Sequence, residues 1–161
     1  TRHQEYSGVS QEYFDPETNE KYIPYIIEST YGLDRTVLAI LFNSYNKETL
    51  PNGEEREVMK FHPYLAPYKV TILPLIKKYH SQKAKELYKE LSKNFMCSYD
   101  DSGNIGKRYR RSDIIGTPFA LTVDDETLNN GTVTIRDRDT MEQVTLPIDD
   151  VENYISDRIK L

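Results

Sequence analysis

The chain has little with which to build covalent or metal-held structure. Cys97 is its only cysteine among 161 residues, so no intrachain disulfide can form. That single thiol sits in FMCSY, whose apolar character makes it a core residue. His3, His62 and His80 are scattered without ligand spacing, which leaves no metal site in this chain. No tryptophan occurs, and no apolar run approaches the ~20 residues of a membrane span. The first residues, TRHQEYSG, contain no apolar export signal, so a cytoplasmic setting without membrane contact is expected. Internal repeats and low-complexity tracts are also absent.

What is present is a charged globular chain, 37% hydrophobic and 29% charged, with 13 tyrosines and a net charge of −5. The charge is unevenly spread. Residues 1–58 are acidic on balance, whereas 59–161 are nearly neutral. Near-neutrality does not exclude nucleic acid, because binding depends on cations gathered at one face.

The densest information lies in YIPYIIESTYGLDRTVLAILFNSY, residues 22–45. Ile23, Tyr25, Ile26 and Ile27 predict a buried strand ending at Glu28. Leu33, Val37, Leu38, Leu41 and Phe42 recur at helical spacing after Gly32. Arg35 then falls in the first helical turn, where the helix dipole favours anions over cations. From residues alone, Glu28 is a strand-end carboxylate and Arg35 a surface cation able to pair with Asp34.

Residues 46–57, NKETLPNGEERE, read as an exposed loop, and HPYLAP at 62–67 forces extended backbone at a junction. Two domains are expected, 1–62 and 63–161. In the second, YKVTILPLI, FMCSY, PFALTVD, TVTIRDR and EQVTLP predict five strands. A helix capped by Ser81 carries Ala84, Leu87, Tyr88 and Leu91 on one face. A second carries Ile105 and Tyr109 and stops at Gly116 and Pro118. A terminal helix opens with a capping box of Asp149 and Glu152. The fold class is α/β: a mixed five-stranded sheet flanked by three helices, preceded by a strand–helix piece.

Two cationic groups stand out. Lys107, Arg108, Arg110 and Arg111 surround Tyr109, whose spacing from Ile105 directs it to the core. RDRD at 136–139 alternates Arg136 and Arg138 with Asp137 and Asp139. Either group can contact nucleic acid, and either can neutralise itself against neighbouring carboxylates. Lys83, Lys85, Lys89 and Lys93 read as the solvated side of their helix and are assigned no site.

The segment around Arg35 resembles motif 3 of class II aminoacyl-tRNA synthetases, with GLDR at the place of their G-x-x-R. RHQEYSG at 2–8, YFDPETNEKYIPYIIE at 13–28, HPYLAPYKVTILPL at 62–75, GNIGKRYRRSDIIGTPFALTVD at 103–124 and TVTIRDRDTMEQVTLPI at 132–148 resemble the homodimeric glycyl-tRNA synthetase family. One departure is that the family reads E-P-S where Glu28 is followed by Ser29 and Thr30.

The resemblance implies that residues 1–62 are the end of an antiparallel catalytic domain and 63–161 an anticodon-binding domain. It implies that Arg35 holds ATP phosphates as the catalytic cation and that Glu28, with Thr30, receives glycine. Lys107, Arg108, Arg111, Arg136, Asp137 and Arg138 are then the contacts to the tRNA anticodon. ATP, Mg2+, glycine and tRNA-Gly are the implied cofactors and partners, and the parent is a homodimer. Motifs 1 and 2 have no room before Tyr22, so the chain alone is expected to be inactive. The alternative is a noncatalytic nucleic-acid-binding accessory protein on the same fold.

Overall fold

The computed structural model describes residues 2–160, and the chain divides into two compact units between Leu33 and Asp34. The first contains helix α1 (Arg2–Ser7) and a hairpin of β1 (Tyr13–Asp15) with β2 (Glu20–Tyr22). The hairpin rings of Tyr13 and Tyr22 meet edge to face at 5.8 Å. Residues 23–32 form no regular element. The expected strand over Ile23–Ile27 is therefore corrected: these side chains are exposed, Ile27 at 96%. A strand requires a hydrogen-bonded neighbour, and among the described residues of this unit the only ladder is that of β1 with β2.

Helix α2 (Leu33–Ser44) forms where its apolar spacing predicts, but Leu33, Val37, Leu38, Leu41 and Phe42 remain exposed rather than packed. It runs into β3 (Tyr45–Thr49), which pairs antiparallel with β4 (Glu55–Met59). The loop expected at 46–57 is thus a hairpin. Only its tip turns, where Gly53, at φ 82°, donates to the Leu50 carbonyl at 2.8 Å. Charged composition concealed β4 because one of its two buried residues is Arg56.

The five expected strands are β5 (Val70–Pro74), β6 (Cys97–Tyr99), β7 (Phe119–Val123), β8 (Thr132–Asp137) and β9 (Gln143–Pro147). They form one mixed sheet in the order β6-β5-β7-β8-β9. Strand β5 lies parallel to β6 and β7, and the remaining pairs are antiparallel. Helix α3 (Lys77–Leu91) links β5 to β6, and α4 (Ile105–Ile115) links β6 to β7. These two crossovers run in opposite directions across the sheet, so right-handedness places α3 and α4 on opposite faces.

The two faces differ in chemistry. Toward α3, Val70, Ile72, Cys97, Phe119, Leu121, Val133 and Ile135 pack with Ala84, Leu87 and Leu91. Helix α6 (Val151–Arg158) adds Val151 and Ile155 to this core. Toward α4 the sheet is polar: Thr71 Oγ1 accepts from Ser112 Oγ at 3.1 Å and lies 2.6 Å from Ser98 Oγ. The Tyr109 hydroxyl bonds Thr122 Oγ1 at 2.7 Å.

Helix starts differ from the sequence reading. Helix α3 begins a turn before Ser81: Ile76 N–H donates to His80 Nδ1 at 3.0 Å, leaving the ring proton on Nε2 to reach Asp125 Oδ1 at 3.0 Å. Asp149 does not cap α6, which follows a 3-10 turn over Ile148–Asp150. A short helix α5 (Asp125–Asn130) joins β7 to β8, secured by a capping box of Asp124 with Thr127.

Candidate nucleic-acid interface

Helix α4 starts at Asn104, whose side chain accepts from Lys107 N–H at 2.9 Å, and ends at Gly116, whose φ of 86° closes the helix through the Ser112 carbonyl. A Cβ on Gly116 would meet Met59 O at 2.9 Å and the Phe61 ring closer still. Glycine is therefore required here by both conformation and space.

Beneath α4 lies a buried ionic hub. Asp113 accepts from Arg56 Nε at 2.9 Å and from Arg136 Nη1 at 2.9 Å. Arg56 also donates to Glu48 Oε2 at 2.9 Å and to the Arg138 carbonyl. Burial opposes the Arg56 charge, but the Asp113 and Glu48 carboxylates outweigh it, and the pKa stands above the ordinary arginine value. A hydrogen bond from Lys60 holds the Glu48 carboxyl below its usual range against partial burial. Strands β4 and β8 are thereby tied to α4 by charge.

The residues singled out in the sequence divide sharply. Arg108 is buried and donates to the carbonyls of Pro74, Gly103 and Ser102, so its charge organises the β6–α4 loop. Arg136 is buried against Asp113, with its guanidinium 5.0 Å from the Tyr109 ring centre. Arg138, 2% exposed, donates to Gly116 O, Phe61 O and the Asp139 carboxylate. Asp137 accepts from the N–H groups of Asp139 and Thr140 at 2.8 and 2.9 Å, shaping the β8–β9 turn. Arg108, Arg136 and Arg138 thus have their guanidinia engaged inside the protein.

Lys107 and Arg111 are exposed. Arg111 binds Asp100 through Nε at 2.8 Å. Partial burial raises the Asp100 pKa, but the Ser102 N–H and Arg111 lower it further, leaving the carboxyl below its usual range.

The two clusters meet at one cleft of about 400 Å³. Asn104, Lys107, Tyr109 and Arg110 line it from α4 and its cap, Met141 from the β8–β9 turn, Arg136 from the sheet, and Glu54 from the β3–β4 turn with its carboxylate 3.7 Å from Arg110. Met141 holds a φ of 62°, the left-handed residue of the β8–β9 turn, with its N–H donating to the Asp137 carbonyl at 3.0 Å. Gly106 also borders the cleft, and a Cβ there would meet nothing closer than Asn104 Oδ1 at 3.7 Å. Sequence reasoning missed Asp113 as the hub, Arg56 as its partner, and Met141. Asp113 is legible only as a carboxylate neighbouring the α4 cations, Met141 only as part of the turn after RDRD, and nothing local points to Arg56.

In the first unit, the Thr30 hydroxyl donates to Glu28 Oε1 at 3.1 Å, and both residues are exposed. Arg35 is exposed in the first turn of α2. Among the described residues no three His, Cys, Asp or Glu side chains gather as metal ligands. No described helix is long and apolar enough to cross a membrane.

Comparison with known proteins supplies a context for the cleft. The sequence profile of a family described as "Anticodon binding domain" matches residues 69–158. The glycine–tRNA ligase of Clostridium kluyveri is 53% identical over 160 residues, covering 99% of this chain and 34% of that protein. The glycine–tRNA ligase of Geobacillus kaustophilus is 53% identical over 158 residues, covering 98% of this chain and 34% of that protein. The chain thus spans about a third of the length of these curated relatives. Among solved structures, the RNA binding domain of threonyl-tRNA synthetase from Cryptosporidium parvum Iowa II matches with a TM-score of 0.57 and 27% identity, over 62% of this chain and 25% of that chain.

Proposed function

The chain belongs to the anticodon-binding domain family, and from that membership we propose that the cleft beside α4 binds the anticodon arm of tRNA-Gly. The observation carrying this reading is the convergence of Lys107, Tyr109, Arg110 and Met141 on one opening, backed by Arg136. Lys107 supplies a cation to phosphate in the first turn of α4, where the dipole also favours anions, and Arg110 and Arg111 add cations further along the helix. The Tyr109 ring, steadied by Arg136 below it, offers a face to a base. Arg108, Arg136 and Arg138 act by positioning, and Asp137 sets the turn that carries Met141.

The wider reading follows the glycine–tRNA ligase relatives. In the whole enzyme, the glycine carboxylate attacks the ATP α-phosphate, pyrophosphate leaves, and the acyl group passes to the tRNA 3′ end with loss of AMP. Arg35 offers a planar guanidinium able to hold two phosphate oxygens. Glu28, oriented by Thr30, neutralises the glycine ammonium. ATP, Mg2+, the homodimer and the domain limit at 62/63 belong to this proposal through the resemblance. The catalysis is assigned to the whole enzyme, so the chain alone is expected to make no glycyl adenylate.

The test is binding of this chain to tRNA-Gly anticodon stem-loops with matched and altered anticodons. Binding of every loop that weakens several-fold in Lys107→Ala/Arg110→Ala, with the preference for the matched loop retained, supports the cleft. Equal binding of all loops, unaffected by that variant, overturns it. Glycine-dependent pyrophosphate exchange by the chain alone would contradict the assignment of catalysis to the whole enzyme.

A further inference from the structure

A second cleft, of about 540 Å³, lies between α3 and the edge strand β6. Its walls are Tyr68, Tyr88 and Tyr99 with Lys85 and Lys89, and Cys97 lies at the sheet. Tyr88 and Tyr99 meet edge to face at 6.2 Å, which fixes both rings, and each stays half-buried with surface in the opening. Lys85 Nζ stands 5.9 Å from the Tyr99 ring centre. The Tyr99 hydroxyl donates to Asp101 at 3.2 Å, and Lys77 holds that carboxylate at 3.0 Å.

The charged side chains lining this cleft are both lysines, and Asp101, bonded to the Tyr99 hydroxyl, is paired with Lys77. No carboxylate lines it. Glu86 is turned to Gln82 and Lys83, and Glu90 borders a separate hollow with Leu121 and Glu152. The α3 cations that read as a merely solvated face therefore include two set beside three tyrosines. This is the layout of a stacking platform, with rings for bases and ammonium groups for phosphates. A peptide added as a strand fits less well, because β6 has only three residues to pair with it.

We propose that the α3–β6 cleft is a second nucleic-acid contact, binding a single-stranded RNA segment by stacking on Tyr68, Tyr88 and Tyr99 and by phosphate contact with Lys85 and Lys89. It lies on the α3 face of the sheet, opposite the α4 face, and therefore goes beyond the anticodon reading. An RNA engaged at both would pass around the β6 edge.

The test uses the full chain and a labelled oligouridylate about ten nucleotides long, with binding followed by fluorescence anisotropy across a salt series. Lys85→Ala/Lys89→Ala changes only exposed side chains. It is expected to weaken binding several-fold and to reduce the log–log salt slope by about 1.4, two single-strand phosphate contacts. Ultraviolet crosslinks on the unaltered chain should map to peptides containing Tyr68, Tyr88 or Tyr99. They should persist in Lys107→Ala/Arg110→Ala, a variant that separately reports on the anticodon cleft. An unchanged slope with crosslinks confined to α4 peptides overturns the proposal while leaving the α4 reading intact. Displacement of the oligonucleotide by polyglutamate as efficiently as by unlabelled RNA, at matched charge, also overturns it, since bare charge would then suffice.

Discussion

Arg136 on β8 and Asp113 on α4 are joined at 2.9 Å with both side chains buried, and Arg56 of β4 reaches the same carboxylate from another direction. A single carboxylate thus neutralises guanidinia from two strands.

Removing that carboxylate leaves two buried cations short of a partner. Asp113→Ala should destabilise the fold by about 3–5 kcal/mol, the range for breaking a buried ion pair from one side. Urea unfolding of wild type and variant measures it, and a loss below about 1 kcal/mol would mean that the pairs behave like surface ones.

Much of the five-stranded sheet was legible because its strands are apolar or alternating runs, and the end of α4 was legible from Gly116 and Pro118. The β3–β4 hairpin was not. Its buried Arg56 finds Asp113 57 residues away, and no local pattern announces such a partner. The same limit applies to the site. Composition singled out Arg136 and Arg138 as cations, but only the tertiary structure assigns them to Asp113, Gly116 O and Phe61 O. The strand read at Ile23–Ile27 failed for a related reason, since periodicity records apolar character and not the presence of a neighbour.

The hairpin also bears on where the second domain can be cut. A chain of residues 63–161 keeps the sheet but loses Arg56, leaving Asp113 with Arg136 at 2.9 Å and the more distant Arg110 at 3.9 Å. It should be less stable than residues 34–161 by an amount on the order of 3 kcal/mol. Equal urea midpoints for the two chains would place the domain limit at 62/63 without cost.

Acid should loosen the second unit. Glu48 and Asp100 both have pKa values below their ordinary 4.5 and 3.8 in the fold. Groups depressed on folding contribute stability that is full above the unfolded value and is lost as pH falls through the folded one. Stability should therefore hold above about pH 5 and decline below about pH 4. Glu48→Gln or Asp100→Asn should be less stable than wild type near neutrality and should flatten that decline. A decline of unchanged steepness in both variants would assign it to other carboxylates.

Gly106 separates stability from binding. A helical glycine costs about 0.5–1 kcal/mol relative to alanine, and at this position a Cβ meets no atom closer than 3.7 Å. Packing therefore gives no reason for glycine, whereas the cleft it borders does. Gly106→Ala should leave the thermal midpoint equal or higher while weakening binding of the anticodon stem-loop, and Gly106→Val should weaken it further because it places more bulk at the wall of the cleft. Circular dichroism melts and stem-loop titrations on the same samples read both quantities. Unchanged affinity in the valine variant would mean that RNA does not approach this wall, and the α4 cleft would lose its claim to the anticodon.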